Sequence, residues 1–270
     1  MMTAAALRRP AVRTVSRVGT ADLLRLALRQ HRALILTTFA ACLVLALYLL
    51  SWRLLGGTPN VLEVMHTSTV LNYGIVGYTL VVAVFWGAPL LSREYEQRTH
   101  LLVWSQDVAP TRWLLTKVAL LGVIVGAFAV GLEAVNELVN KQLVASLSSA
   151  GWMANAFLVG FEGNIALQAG YALAAFAIGI AIGGLLRVPV VAMVVSTGAF
   201  GLIRWLVATY VRPVYLPTTQ ANSFQGTFEQ NGVPDPQPLP QELIEFGIFL
   251  GIAALCLVIA WLGVRRRRRV

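Results

Sequence analysis

Ionisable groups inside long apolar runs are the first residues here that could do chemistry, because each is costly at membrane depth and marks a pathway or a pairing. Glu133 and Glu137 stand four residues apart, so they share one helix face, with Asn136 and Asn140 close by. Arg204 lies midway along another apolar run. Together they are candidates for a substrate or gating path. By register the two glutamates fall toward the outer end of their segment, so an interfacial polar patch is the competing reading. Arg204 needs a polar partner or a water-filled cavity, and Glu133 or Glu137 could supply that partner.

Other constellations are missing. His31, His66 and His100 are scattered without metal-ligand spacing, and no G-x-S-x-G or H-E-x-x-H pattern occurs. Cys42 and Cys256 fall inside apolar runs and lack the spacing of a disulfide or metal site. No catalytic or metal-binding residue is therefore expected. No G-x-x-x-x-G-K-[ST] phosphate loop is present either, so nucleotide chemistry, if the protein uses it, belongs to another polypeptide.

A second chemistry-bearing stretch is polar rather than apolar. Ser92–Thr111 carries Arg93, Glu94, Glu96, Arg98, His100, Trp104 and Asp107 between two apolar runs. Ser92 is placed to cap a helix whose first turns hold Glu94 and Glu96, the end that favours negative charge. Leu101, Leu102 and Trp104 offer an apolar surface, and Pro110 ends the element. The expectation is a short amphipathic helix joined rigidly to the two flanking segments.

The elements that position these residues follow from composition. Of 270 residues, 57% are hydrophobic and 12% charged, against roughly 25% charged in soluble domains. The solvent for most of the chain is lipid. Six apolar segments approach the ~20 residues a crossing needs: Ala33–Leu50, Thr69–Leu91, Trp113–Val139, Asn164–Leu186, Val190–Val211 and Glu242–Val264. The fold class is all-α, a polytopic integral membrane protein with six transmembrane helices. Asn140–Gly163 reads as a loop with an interfacial or re-entrant piece, and Arg212–Gln241 as a proline-rich polar loop. Glycines in the second and fourth segments permit close helix approach, within one chain or between two.

The net charge of +9 reflects basic flanks rather than nucleic-acid binding. If the amino terminus is cytoplasmic, the inner side holds Arg8, Arg9, Arg13, Arg17, Arg93, Arg98, Arg112, Lys117, Arg187 and Arg265–Arg269. The outer side holds only Arg53, Lys141 and Arg212. This asymmetry places both termini in the cytoplasm and requires an even number of spans. Residues 1–19 form a basic cytoplasmic tail, 20–264 the membrane domain and 265–270 a second basic tail on anionic lipid. Arg25, Arg29 and Arg32 share a face opposite Leu24, Ala27 and Leu28. Thr20–Arg32 is thus either a short amphipathic interfacial helix or the solvated start of the first span.

The stretch from Gly87 to Lys117 resembles the permease subunits of ABC-2 type transporters, especially the actinobacterial branch. In that family the second span is followed by an acidic-x-Gly-Thr element, a short apolar run, a proline-containing turn and a basic start to the third span. The matching residues are Arg93, Glu94, Glu96, Thr99, His100, Leu101, Trp104, Gln106, Arg112, Trp113 and Lys117. A weaker echo is Arg187–Met193. Arg98 stands where the family usually carries Gly, and a helix through this point tolerates Arg.

The resemblance implies the permease subunit of an ATP-driven exporter in the cell membrane, and no enzyme. Arg93, Glu94, Glu96, Thr99, His100, Leu101, Leu102, Trp104 and Gln106 would form the coupling helix that docks on an ABC ATPase. ATP and magnesium would sit on that partner, with no cofactor on this chain. A second permease copy, identical or not, would complete the membrane half. Two other classes compete: an intramembrane enzyme using Glu133, Glu137 and Arg204, and a non-transporting scaffold or immunity protein acting through Arg212–Gln241.

Overall fold

The computed structural model describes residues 19–54, 70, 73–97, 109–147, 164–186, 188–215 and 239–267. Among these residues there is no strand, and six helices are long and apolar enough to cross a membrane. They are α1 (Thr20–Leu54), α2 (Tyr73–Glu96), α3 (Pro110–Leu147), α4 (Ile165–Leu186), α5 (Pro189–Tyr215) and α6 (Leu239–Arg267). Successive helices run antiparallel. One end of the bundle, the elbow end, gathers Thr20, Glu96 and Thr111. The far end gathers Tyr73, Ile165, Tyr215 and Glu242.

α4 is the hub. Its sequence is apolar on every face and rich in Ala and Gly, the pattern of a helix with neighbours all round. Tyr171, Phe176 and Ile180 are buried, and α2, α3, α5 and α6 all pack on it. α1 lies at the periphery, with Leu36, Phe39, Val44 and Leu47 exposed where lipid would be.

Backbone meets backbone between α2 and α4. A Cβ on Gly87 would lie 2.6 Å from the Phe176 carbonyl oxygen, and one on Gly183 only 2.2 Å from that of Ala88. Lipid-embedded helices gain little from hydrophobicity against each other, so this close van der Waals approach is what holds them. The expected glycine-mediated interface is therefore found, and it lies within one chain. Polar bonds add to it on the other side of α2. The Trp86 Nε1–H donates to Thr38 Oγ1 of α1 at 3.1 Å, and the Tyr78 hydroxyl donates to the Val125 carbonyl of α3 at 2.7 Å.

Both α2 and α5 contain a π-helical turn, Val82–Gly87 and Val207–Val211. The cause is the same. Pro89 and Pro213 have no N–H to give the carbonyl four residues back. The preceding residue instead bonds five back, Ala88 to Ala83 and Arg212 to Val207.

Several boundaries differ from the sequence expectation. Thr20–Arg32 and the first span form one unbroken helix. Gly19 N–H donates to Asp22 Oδ2 at 3.2 Å at its start, and Leu23 and Ala27 are buried. Of the two readings, the start of the first span is the one the backbone takes. Ser92 caps nothing: it sits inside α2 and donates to the Ala88 carbonyl at 2.7 Å, because the π turn lets the helix continue past Pro89 to Glu96. α3 runs to Leu147, since no Gly or Pro follows Val139 to stop it. α5 runs to Tyr215, which makes Arg212 a helical residue rather than a loop residue.

Candidate functional site

Two polar sites lie at opposite ends of the bundle. At the elbow end, α2 continues four residues beyond Ser92. Arg93, Glu96 and Gln97 are exposed, while Glu94 turns inward. Its carboxylate pairs with the Lys117 ammonium of α3. Lys117 is only 4% exposed and Glu94 17%. The ammonium also stands over the Trp113 ring, 4.5 Å from its centroid. Both a carboxylate and a π-face thus attend this deep lysine. Arg112 reaches Thr20 Oγ1 at 3.3 Å, tying the start of α1 to the same point. The ends of three helices thus meet at the root of the elbow.

At the far end α4, α5 and α6 share a buried carboxylate. Glu245 accepts from the Tyr171 hydroxyl at 2.6 Å, and from Arg212 at 2.9 and 3.1 Å through both its oxygens. The Tyr215 hydroxyl adds a further bond. The Arg212 fork on the carboxylate is the geometry that gives such pairs their strength. Arg204 lies over the Tyr171 ring at 4.5 Å, and Phe249 meets that ring edge-on at 4.6 Å. Asn164 caps α4, its Oδ1 accepting from Ala166 N–H at 2.8 Å, and its amide donates to Glu242.

Arg204 touches this cluster through the Tyr171 ring, and sequence reasoning had named Arg212 only as an outer-side loop residue. Glu245 and Tyr171 were missed. The available signal was a second acidic residue, one turn inside the sixth span. Glu133 is wholly buried on α3. Its Oε1 accepts from Asn136 at 2.8 Å, and its Oε2 has no hydrogen-bond partner among the described residues. Glu137 is half-buried beyond it. α3 and α5, which carry these residues and Arg204, both pack on α4. Thr99, His100, Leu101, Leu102, Trp104 and Gln106 lie outside the described residues, as do Arg98, Arg187 and the 1–18 tail.

Between α1, α2 and α3 an open groove of about 340 Å³ is lined by Thr38, Cys42, Leu45, Tyr78 and Phe85. Thr38 and Tyr78 already spend their hydroxyls on internal bonds, so its wall is effectively apolar. Among the described residues no group of His, Cys, Asp and Glu could hold a metal ion.

A family described as ABC-2 membrane transporter related matches residues 58–212, more than half of the chain. The match takes in α2, the elbow, Glu133, Glu137 and Arg204. This chain belongs to the ABC-2 membrane transporter related family. It is a multi-pass membrane protein and a permease-like transport component, and the family works in general with ABC ATPases. No curated protein and no solved structure matches this ABC-2 chain.

Proposed function

We propose that the protein is the membrane subunit of an exporter in the plasma membrane, driven by ATP hydrolysis on a separate ABC ATPase that grips the elbow. The observation that carries this reading is the continuity of α2. The helix that leaves the bundle as the elbow is the one locked backbone-to-backbone to the hub α4 through Gly87, Gly179 and Gly183. A grip on the elbow acts directly on the two most buried of the described spans. The basic residues at the elbow end, Arg25, Arg29, Arg32, Arg93 and Arg112, support a cytoplasmic location for it, where ATP is.

In this reading Arg93 and Glu96 form the exposed near edge of the docking surface, and Thr99–Gln106 the rest. Glu133, Glu137 and Arg204 stand along the route to the outer face, and a second copy completes the path. ATP and magnesium stay on the partner. The test is purification of the tagged full-length chain from its native membranes. Wild type is expected to bring down an ATP-hydrolysing subunit, and the R93E/E96K variant to lose it while inserting normally. Equal ATPase activity retained by both would overturn the docking assignment, and none retained by wild type would overturn the reading as a whole.

A further inference from the structure

The elbow has an inward-facing residue as well as an outward face. Glu94 is the acidic residue that a docking helix would be expected to offer its partner, yet its carboxylate is committed to Lys117 across 23 residues of chain. The segment between them is the elbow itself. The pair therefore closes the base of a loop, joining the last turns of α2 to the second turn of α3. Around it, Ser92, Leu91, Trp113 and Leu114 are buried. His31 of α1, whose Nε2 has no hydrogen-bond partner among the described residues, lies within electrostatic reach of Lys117. Within residues 92–97 at the end of α2, Arg93, Glu96 and Gln97 are the exposed ones.

We infer that the Glu94–Lys117 pair is a positioning device: it stiffens the root of the elbow, so that a displacement imposed beyond Gln97 moves α2 and α3 as one body. This rests on the coupling role proposed above, and it removes Glu94 from the docking surface. The physical reason is the low exposure of both groups. A surface pair would exchange with water and hold nothing in place. This pair has little such alternative, so separating it leaves the Lys117 ammonium without solvent and Glu94 with only a little. The Trp113 face fixes the ammonium from a second direction, which limits the pair to one arrangement.

Charge reversal in both partners separates positioning from docking. If Glu94 acts through Lys117, the E94K/K117E swap restores the attraction. If Glu94 contacts the ATPase, the swap is as harmful as E94K alone. The experiment uses the full-length chain in lipid nanodiscs, with Cys42 and Cys256 replaced by Ala and spin labels at Gln97→Cys and Leu115→Cys. In E94Q the label–label distance distribution is expected to broaden about twofold, and in the swap to return to wild-type width. An unchanged width in E94Q, or a swap that stays as broad as the single variant, overturns the inference.

A second arm assays the complex drawn from native membranes. E94Q is expected to keep its bound ATPase while hydrolysis falls about fivefold, and the swap to recover it. Loss of bound ATPase in both E94Q and the swap would make Glu94 a docking contact instead. If wild type retains no ATPase, the coupling proposal fails, and the distance measurement still decides whether the pair stiffens the root. Should E94K fail to insert, E94Q and the swap carry both arms.

Discussion

Glu245 sets the energetics at the scale of single residues. One buried carboxylate on α6 satisfies Tyr171 of α4 and both Arg212 and Tyr215 of α5. Glu245→Ala strands the Arg212 cation and two hydroxyls at once, and is expected to destabilise the protein by about 3 kcal/mol. Tyr171→Phe removes the hydroxyl's bonds to Glu245 and Arg212 but strands no charge and keeps the ring against Phe249 and Arg204, so its cost is about 1–2 kcal/mol. Thermal unfolding of the two variants in the same detergent checks the order. Equal losses would mean the carboxylate does not hold the cluster together. Glu133 contrasts with Glu245, being equally buried but, among the described residues, bound through one oxygen to Asn136.

At the scale of elements, the contact of α2 with α4 and the two π turns matter most. Gly183 and Gly198 both occupy apolar helices and look alike in sequence. Around Gly183 a methyl group would overlap the Ala88 carbonyl, whereas nothing lies within 4 Å of the same atom on Gly198. Gly183→Ala should force α2 and α4 apart at about 1–3 kcal/mol. Gly198→Ala should be neutral or stabilise by up to about 1 kcal/mol, the gain of Ala over Gly in a helix. Melting temperatures of the pair, measured together, test this, and equal shifts would remove the interface from the account. The π turns follow from prolines two residues downstream. They let α2 pass from the packed zone into the elbow without breaking, which is why Ser92 is an interior residue and not a cap.

For the whole molecule, the central question is which end faces the cytoplasm. Gln97 is exposed at the elbow end and Tyr73, 75% exposed, stands at the far end. With Cys42 and Cys256 replaced by Ala, Gln97→Cys should react with an impermeant maleimide only after the membrane is opened. Tyr73→Cys should react in intact cells. The reverse pattern would invert the molecule and end the proposal that a cytoplasmic ATPase reaches the elbow. Orientation is set by the summed basic residues at one end, not by any single one.

Membrane residence and the number of spans were legible in the amino-acid sequence, because lipid imposes a length and an apolar composition on every crossing that no context can override. The close partnership of the second and fourth spans was half legible. Glycine permits approach, but only the fold selects which glycine meets which neighbour. The boundary was misjudged where Ser92 read as a helix cap, since the π turn absorbs the donor missing at Pro89 and lets the helix run on. Sequence placed Glu94 on a docking face and Arg212 in a loop. Tertiary structure turned Glu94 onto Lys117 and set Arg212 on Glu245, because a buried charge takes whichever partner three-dimensional packing brings near, however far away it lies along the chain.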